Sequence, residues 1–119
     1  MSTTVLIVDD HPTFRRLARR LLEDAGFSVV GEAADAAEAI AAAMALRPGA
    51  VLLDVMLPDG SGIEVAKVLS RADSPPAVVL TSSRSACDLG VAVEDAFTRG
   101  FIPKDRLSSS AFAALLEGE

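Results

Sequence analysis

Ala50-Val51-Leu52-Leu53-Asp54 is the stretch from which the rest of the chain can be read. Four consecutive apolar residues are too few for a helix, and without alternation they fit a strand buried on both faces. The pattern occurs twice more. Val5–Val8 runs into Asp9 and Asp10, and Ala77–Leu80 runs into Thr81, Ser82 and Ser83. Three buried strands thus end in groups that bind or transfer charge.

The segments between them have helical spacing. Phe14, Leu17, Leu21, Leu22 and Ala25 form one apolar face, with Arg15, Arg16, Arg19 and Arg20 opposite and Gly26 as a left-handed stop. Ser28–Ala33 is a second strand, interrupted by Gly31. Asp35 and Glu38 make a capping box for a helix over Ala36–Leu46, which Arg47-Pro48-Gly49 ends. A turn at Leu57–Gly62 leads into a helix with Ile63, Ala66 and Leu69 inward. A weaker helix over Ala86–Thr98 carries Gly90, which costs about 1 kcal/mol against alanine. Phe101–Ile102 is the fifth strand, and Ser108 caps a last helix with Ala111, Phe112, Leu115 and Leu116 on its apolar side. Strands alternating with helices in this way predict an α/β fold with a five-stranded parallel sheet covered on both faces. The pattern fills residues 1–119 as one domain, with no linker or repeat.

Composition narrows the function. Half of the 119 residues are apolar, enough for a core without disulfides or metals as staples, and the single cysteine, Cys87, fits a reducing compartment. The formal net charge of −6 argues against direct nucleic-acid binding by this domain. Met1–Thr4 has no basic leader region, and no apolar run approaches the ~20 residues of a membrane span, so no membrane partner is expected and the chain reads as cytoplasmic.

In an open parallel sheet, polar sites form beyond the carboxyl ends of the strands. Asp9, Asp10, Asp54, Thr81 and Lys104 fall at those ends. Carboxylates on neighbouring strands about 4.8 Å apart repel one another unless a cation sits among them, and hard oxygen donors with open positions for water suit Mg²⁺. A carboxylate beside Mg²⁺ and an ammonium can accept a phosphoryl group, and the Thr81 hydroxyl can hold one of its oxygens.

Val-Asp-Asp-His-Pro at 8–12, Leu-Asp-Val-Met-Leu-Pro-Asp-Gly-Ser-Gly at 53–62, Leu-Thr-Ser at 80–82 and Phe-Ile-Pro-Lys at 101–104 together resemble the receiver domains of bacterial two-component response regulators. The resemblance runs from Val5 to Leu116. It implies a (βα)5 flavodoxin-like, doubly wound sheet with strand order 2-1-3-4-5. It implies Asp54 as phosphoacceptor, and Mg²⁺ held by Asp9, Asp10, Asp54 and the Met56 carbonyl. Lys104 would pair with Asp54 and then with the phosphoryl oxygens, while Thr81 and Phe101 would report the switch. The expected partners are a sensor histidine kinase, an unknown downstream protein or output domain, and a phosphorylation-linked dimer. The expected activity is that of a signalling switch, not of an enzyme acting on other substrates.

Alternatives are a phosphorylation-independent interaction module and the N-terminal fragment of a DNA-binding response regulator, with a stand-alone receiver preferred. An aspartate-nucleophile phosphatase would carry a second aspartate at the Met56 position, and this chain does not. Three features depart from the family pattern. Pro103 precedes Lys104 and Asp105 follows it, Phe101 lacks the tyrosine hydroxyl often found there, and the segment before it contains Gly90. His11 is read as opening the first helix, the arginines as a solvated face or a kinase-docking face, and Pro58-Asp59-Gly60 as a turn required by the backbone alone.

Overall fold

A computed structural model describes residues 3–83 and 98–117. Its main sheet contains β1 (Thr4–Val8), β2 (Ser28–Ala33), β3 (Ala50–Asp54), β4 (Ala77–Ser82) and β5 (Gly100–Pro103). All pairings in it are parallel, in the order β2-β1-β3-β4-β5. The helices are α1 (Pro12–Asp24), α2 (Ala36–Leu46), α3 (Gly62–Leu69) and α4 (Ser109–Leu116). The helix expected over Ala86–Thr98 lies, apart from Thr98, outside the described residues, as do Cys87 and Gly90.

Strand side chains alternate between two cores because successive residues point to opposite faces. Leu6, Val8, Val51, Leu53, Val78 and Leu80 pack with α2 and α3. Val5, Ile7, Ala50, Leu52 and Val79 pack with α1 and α4. An unbroken apolar run is therefore the sequence signature of β3, which is fully buried along its length.

Helix ends follow the capping signals. Pro12 opens α1 after His11, and Gly26 takes φ +96° behind it. At α2 the Asp35 side chain accepts the Glu38 N–H at 2.8 Å, while Glu38 reaches back to the Ala34 N–H at 2.8 Å, one residue upstream of the usual reciprocal bond. Ser108 accepts the Ala111 N–H at 3.1 Å to start α4.

The apolar face of α1 differs from the expected one. Ala18 and Leu22 are buried, Phe14 and Leu21 are half-buried, and Leu17 is 53% exposed. The arginines do not act alike either. Arg15 and Arg19 lie 3.0 and 2.7 Å from Glu32 on β2, whereas Arg16 and Arg20 face solvent. Arg19 also donates to the Val29 carbonyl of β2 at 3.4 Å, so this side of the helix faces the β2 edge.

Both edges of the sheet are irregular. At β2 the register slips, with Val5 opposite Val29 and Leu6 opposite Gly31, so Val30 is the extra residue of a bulge. At the other edge Pro103 lies opposite Ser82 in β5, where its missing N–H interrupts no inner ladder. Two short strands not apparent from the sequence, Met56–Leu57 and Gly60–Ser61, pair antiparallel around the Pro58–Asp59 turn.

α4 is anchored by Phe112, fully buried and edge-on to Phe27 with centroids 5.3 Å apart. Phe112→Ala should destabilise the domain by about 3–5 kcal/mol, read as a lowered denaturant midpoint at unchanged slope.

Candidate functional site

Strand register gathers the polar residues. Val8 lies opposite Leu53, Asp54 opposite Thr81, and Thr81 opposite Ile102. Asp9, Asp54, Thr81 and Lys104 therefore meet at the carboxyl edge of the four strands β1, β3, β4 and β5. Asp54 and Lys104 border a cleft of about 380 Å³ that Asp10, His11, Met56 and Ser82 also line, with Asp9 and Thr81 buried behind it. A larger groove of about 710 Å³ between α2 and α3 touches Gly49 and Pro76, at the opposite end of the strands.

Asp9 is fully buried and Asp54 is 4% exposed. Lys104 Nζ lies 2.6 Å from Asp9 Oδ2 and 3.3 Å from Asp54 Oδ2, so its nearer partner is Asp9 rather than the expected Asp54. The same ammonium stands 4.6 Å from the centre of the Phe14 ring. Its aim comes from a single 3-10 turn over Lys104–Arg106, with no cis peptide bond among the described residues. Burial disfavours the Lys104 cation, yet the two carboxylates hold its pKa above the ordinary value.

Asp54 carries the opposite strain. Burial, helped by the charge of Asp9, pushes its pKa up to about 6, against the Met56 N–H and Lys104, which pull it down. The Met56 N–H donates to Asp54 Oδ1 at 3.1 Å, while the Met56 side chain is half exposed at the cleft rim. Asp9 Oδ1 accepts the His11 N–H at 2.8 Å. The Thr81 hydroxyl is turned away from the cleft and donates to the Ile102 carbonyl at 2.6 Å. Phe101 is half-buried against the core on the α2–α3 side.

One carboxylate oxygen each from Asp9, Asp10 and Asp54 and one ring nitrogen of His11 all lie within 4.8 Å of one another. Among the described residues, Lys104 is the cation paired with the Asp9 and Asp54 carboxylates. The carboxylate oxygens thus fit a hard divalent ion, with the open cleft leaving positions for water.

Two residues inside the 53–62 motif do more here than shape a turn. Gly62 donates its N–H to the Val55 carbonyl at 2.7 Å, and a Cβ there would overlap the carbonyl oxygen of Asp54. Any side chain at 62 would push the Asp54 backbone. Asp59 does more than complete a turn. Its carboxylate accepts the Ala36 and Ala37 N–H groups at 2.7 and 3.1 Å. With Asp35 serving Glu38, the free N–H groups of the first turn of α2 all have partners. These hydrogen bonds, the Ala36 bond foremost, hold the Asp59 pKa below its usual range. An acidic turn residue and an alanine-led helix start are both visible in the sequence, but nothing in one sequence links positions 22 and 23 residues apart.

A family described as the response regulator receiver domain matches residues 5–115. The DNA-binding response regulator MtrA of Mycolicibacterium smegmatis is 35% identical over 111 residues, which cover 88% of this chain and 47% of that protein. The DNA-binding transcriptional activator DevR/DosR of Mycobacterium tuberculosis is 47% identical over 83 residues, 68% of this chain and 38% of that one. The chain thus spans less than half the length of these two relatives. Among solved structures, a LuxR-family two-component response regulator from Aurantimonas sp. SI85-9A1 superimposes with a TM-score of 0.87 at 29% identity, covering 100% of this chain and 88% of that one. No helix of the described residues is long and apolar enough to cross a membrane.

Two pH-dependent outcomes follow from the two shifted aspartates. Asp59 has a lowered folded pKa, so its contribution is present above the unfolded value near 3.8 and is lost as pH falls through the folded value. Asp59→Ala should lower Tm at pH 7, by circular dichroism, and the gap to wild type should close in acid. Asp54 has a raised folded pKa, so its ionisation costs stability above about pH 6. Asp54→Asn should therefore raise Tm at pH 8 in metal-free buffer, with the gain shrinking as pH drops below 6.

Proposed function

The chain belongs to the response regulator receiver family, and from that membership we propose that Asp54 accepts a phosphoryl group from a sensor histidine kinase and thereby switches the surface of the domain. The observation that carries this reading is the burial of Asp54 beside Asp9, with Lys104 reaching both carboxylates, at the mouth of an open cleft. Its Oδ1 is held by the Met56 N–H, which leaves lone pairs of the carboxylate free for attack.

In the proposed step an Asp54 oxygen attacks phosphorus, the phosphorus–nitrogen bond to the donor histidine breaks, and an acyl phosphate forms. The leaving imidazole keeps the electron pair and takes its proton from solvent. Lys104 then exchanges a carboxylate for the phosphoryl oxygens. Receivers of this family bind Mg²⁺ at the acidic pocket, and here Asp9, Asp10, Asp54 and the Met56 carbonyl are its proposed ligands. Bound there, Mg²⁺ supplies charge neutralisation for the transferring group.

The Thr81 hydroxyl is the proposed sensor. To meet the phosphoryl group it must leave the Ile102 carbonyl, an exchange of one hydrogen bond for a charge-assisted one. Ile102 adjoins Phe101, so the side chain beside the freed carbonyl is the proposed reporter of the change. Phe101 has no hydroxyl, and its response is a packing shift alone.

Arg16, Leu17 and Arg20 form the outward face of α1 and are the proposed kinase contact, since Arg15 and Arg19 are committed to Glu32. The DNA-binding activity of MtrA and DevR/DosR supports a transcriptional output for the protein that uses this receiver. The domain itself, with a net charge of −6, acts in that output by protein contact.

Intact mass after incubation with acetyl phosphate and Mg²⁺ tests the reading. Wild type should gain one phosphoryl group, and Asp54→Asn and a chelated control should gain none. Thr81→Ala should still be labelled, because the hydroxyl reads the phosphoryl group rather than transferring it. Folded wild-type protein that gains nothing would leave the phosphorylation-independent interaction module as the better reading.

A further inference from the structure

His11 is the chain's one histidine and has no part in the phosphoryl transfer described above. Its ring is 67% exposed at the rim of the acidic cleft, yet Nδ1 lies 3.1 Å from Asp9 Oδ1 and 3.1 Å from Asp10 Oδ1. Adjacent ligands of an octahedral ion with bonds of ~2.1 Å stand about 3 Å apart, which is the spacing of His11 Nδ1 from each of the two carboxylate oxygens. Asp54 completes a set whose ligand atoms all fall within 4.8 Å.

The ring is held in place by the backbone. The His11 N–H is fixed on Asp9 Oδ1, and Pro12 follows with its φ locked at the start of α1. Three acidic oxygens alone favour a hard ion. An imidazole nitrogen added to them favours the borderline ions of the first transition series, whose affinity rises from Mn²⁺ toward Cu²⁺.

We propose that His11 Nδ1 is an additional ligand of the cleft's divalent ion and gives this receiver a preference for first-row transition ions such as Co²⁺ over Mg²⁺. The inference rests on the reading that the cleft takes a divalent ion. The neutral tautomer with its hydrogen on the exposed Nε2 presents the Nδ1 lone pair to the ion. Without the ion, a hydrogen on Nδ1 bridges the two carboxylates.

Isothermal titration of the untagged protein with Co²⁺ and with Mg²⁺, beside His11→Gln and His11→Ala, measures the preference. Proton NMR of the Co²⁺-loaded protein reads coordination directly, because ring protons of a ligating imidazole are strongly shifted by the paramagnetic ion. The proposal requires those resonances in wild type and their loss in both variants. It also requires Co²⁺ affinity to fall about tenfold in the variants while Mg²⁺ affinity holds. If wild type and variants bind both ions alike and no shifted ring protons appear, the His11 inference is overturned and the acidic cleft stands. If wild type binds neither ion, the divalent site itself fails, and the inference fails with it.

Discussion

The arrangement of this domain depends on keeping two largely buried carboxylates side by side. Asp9 and Asp54 are both nearly inaccessible, and one ammonium, that of Lys104, lies between them. Truncating such a cation would leave buried like charges unpaired, a far larger loss than that of a surface ion pair. The rest of the fold serves this contact. β1 and β3 are adjacent and buried so that their carboxyl ends meet, and β5 ends in a tight turn that returns Lys104 over them. The upward shift of Asp54 shows that the compensation is incomplete, which leaves the site receptive to added positive charge.

Most of this fold was legible because its signals are local and redundant. β3 is an unbroken apolar run, Gly26 and Ser108 mark helix ends, and each polar residue of the site follows a strand. The strand order came from family resemblance and agrees with the observed pairing. The reading of α1 failed in detail: periodicity counts Leu17 as apolar and Arg15 as polar, but Leu17 is exposed, while Arg15 and Arg19 pair with Glu32 on another element. Asp59 and Gly62 escape a sequence reading for a related reason. One makes its bonds across more than twenty residues, and the other matters through the absence of a side chain against Asp54.

These two residues tie the loop after Asp54 to neighbouring helices. Asp59 fixes the loop to the start of α2, and Gly62 brings the start of α3 against the Asp54 carbonyl. Asp54, the proposed phosphoacceptor, is thereby positioned by contacts from both helices of one face of the sheet. A rigid support of this kind holds the Asp54 carboxylate in place.

The irregular edges of the sheet bear on how the molecule can meet copies of itself. A regular edge strand offers a row of unpaired backbone groups on which another chain can add by simple extension. Here one border carries a bulge at Val30 and the other ends in a proline without a donor. The backbone ladder is thus a poor template for growth in either direction. Neither border of the sheet invites another strand, which leaves side chains on the helix faces as the surface for contact.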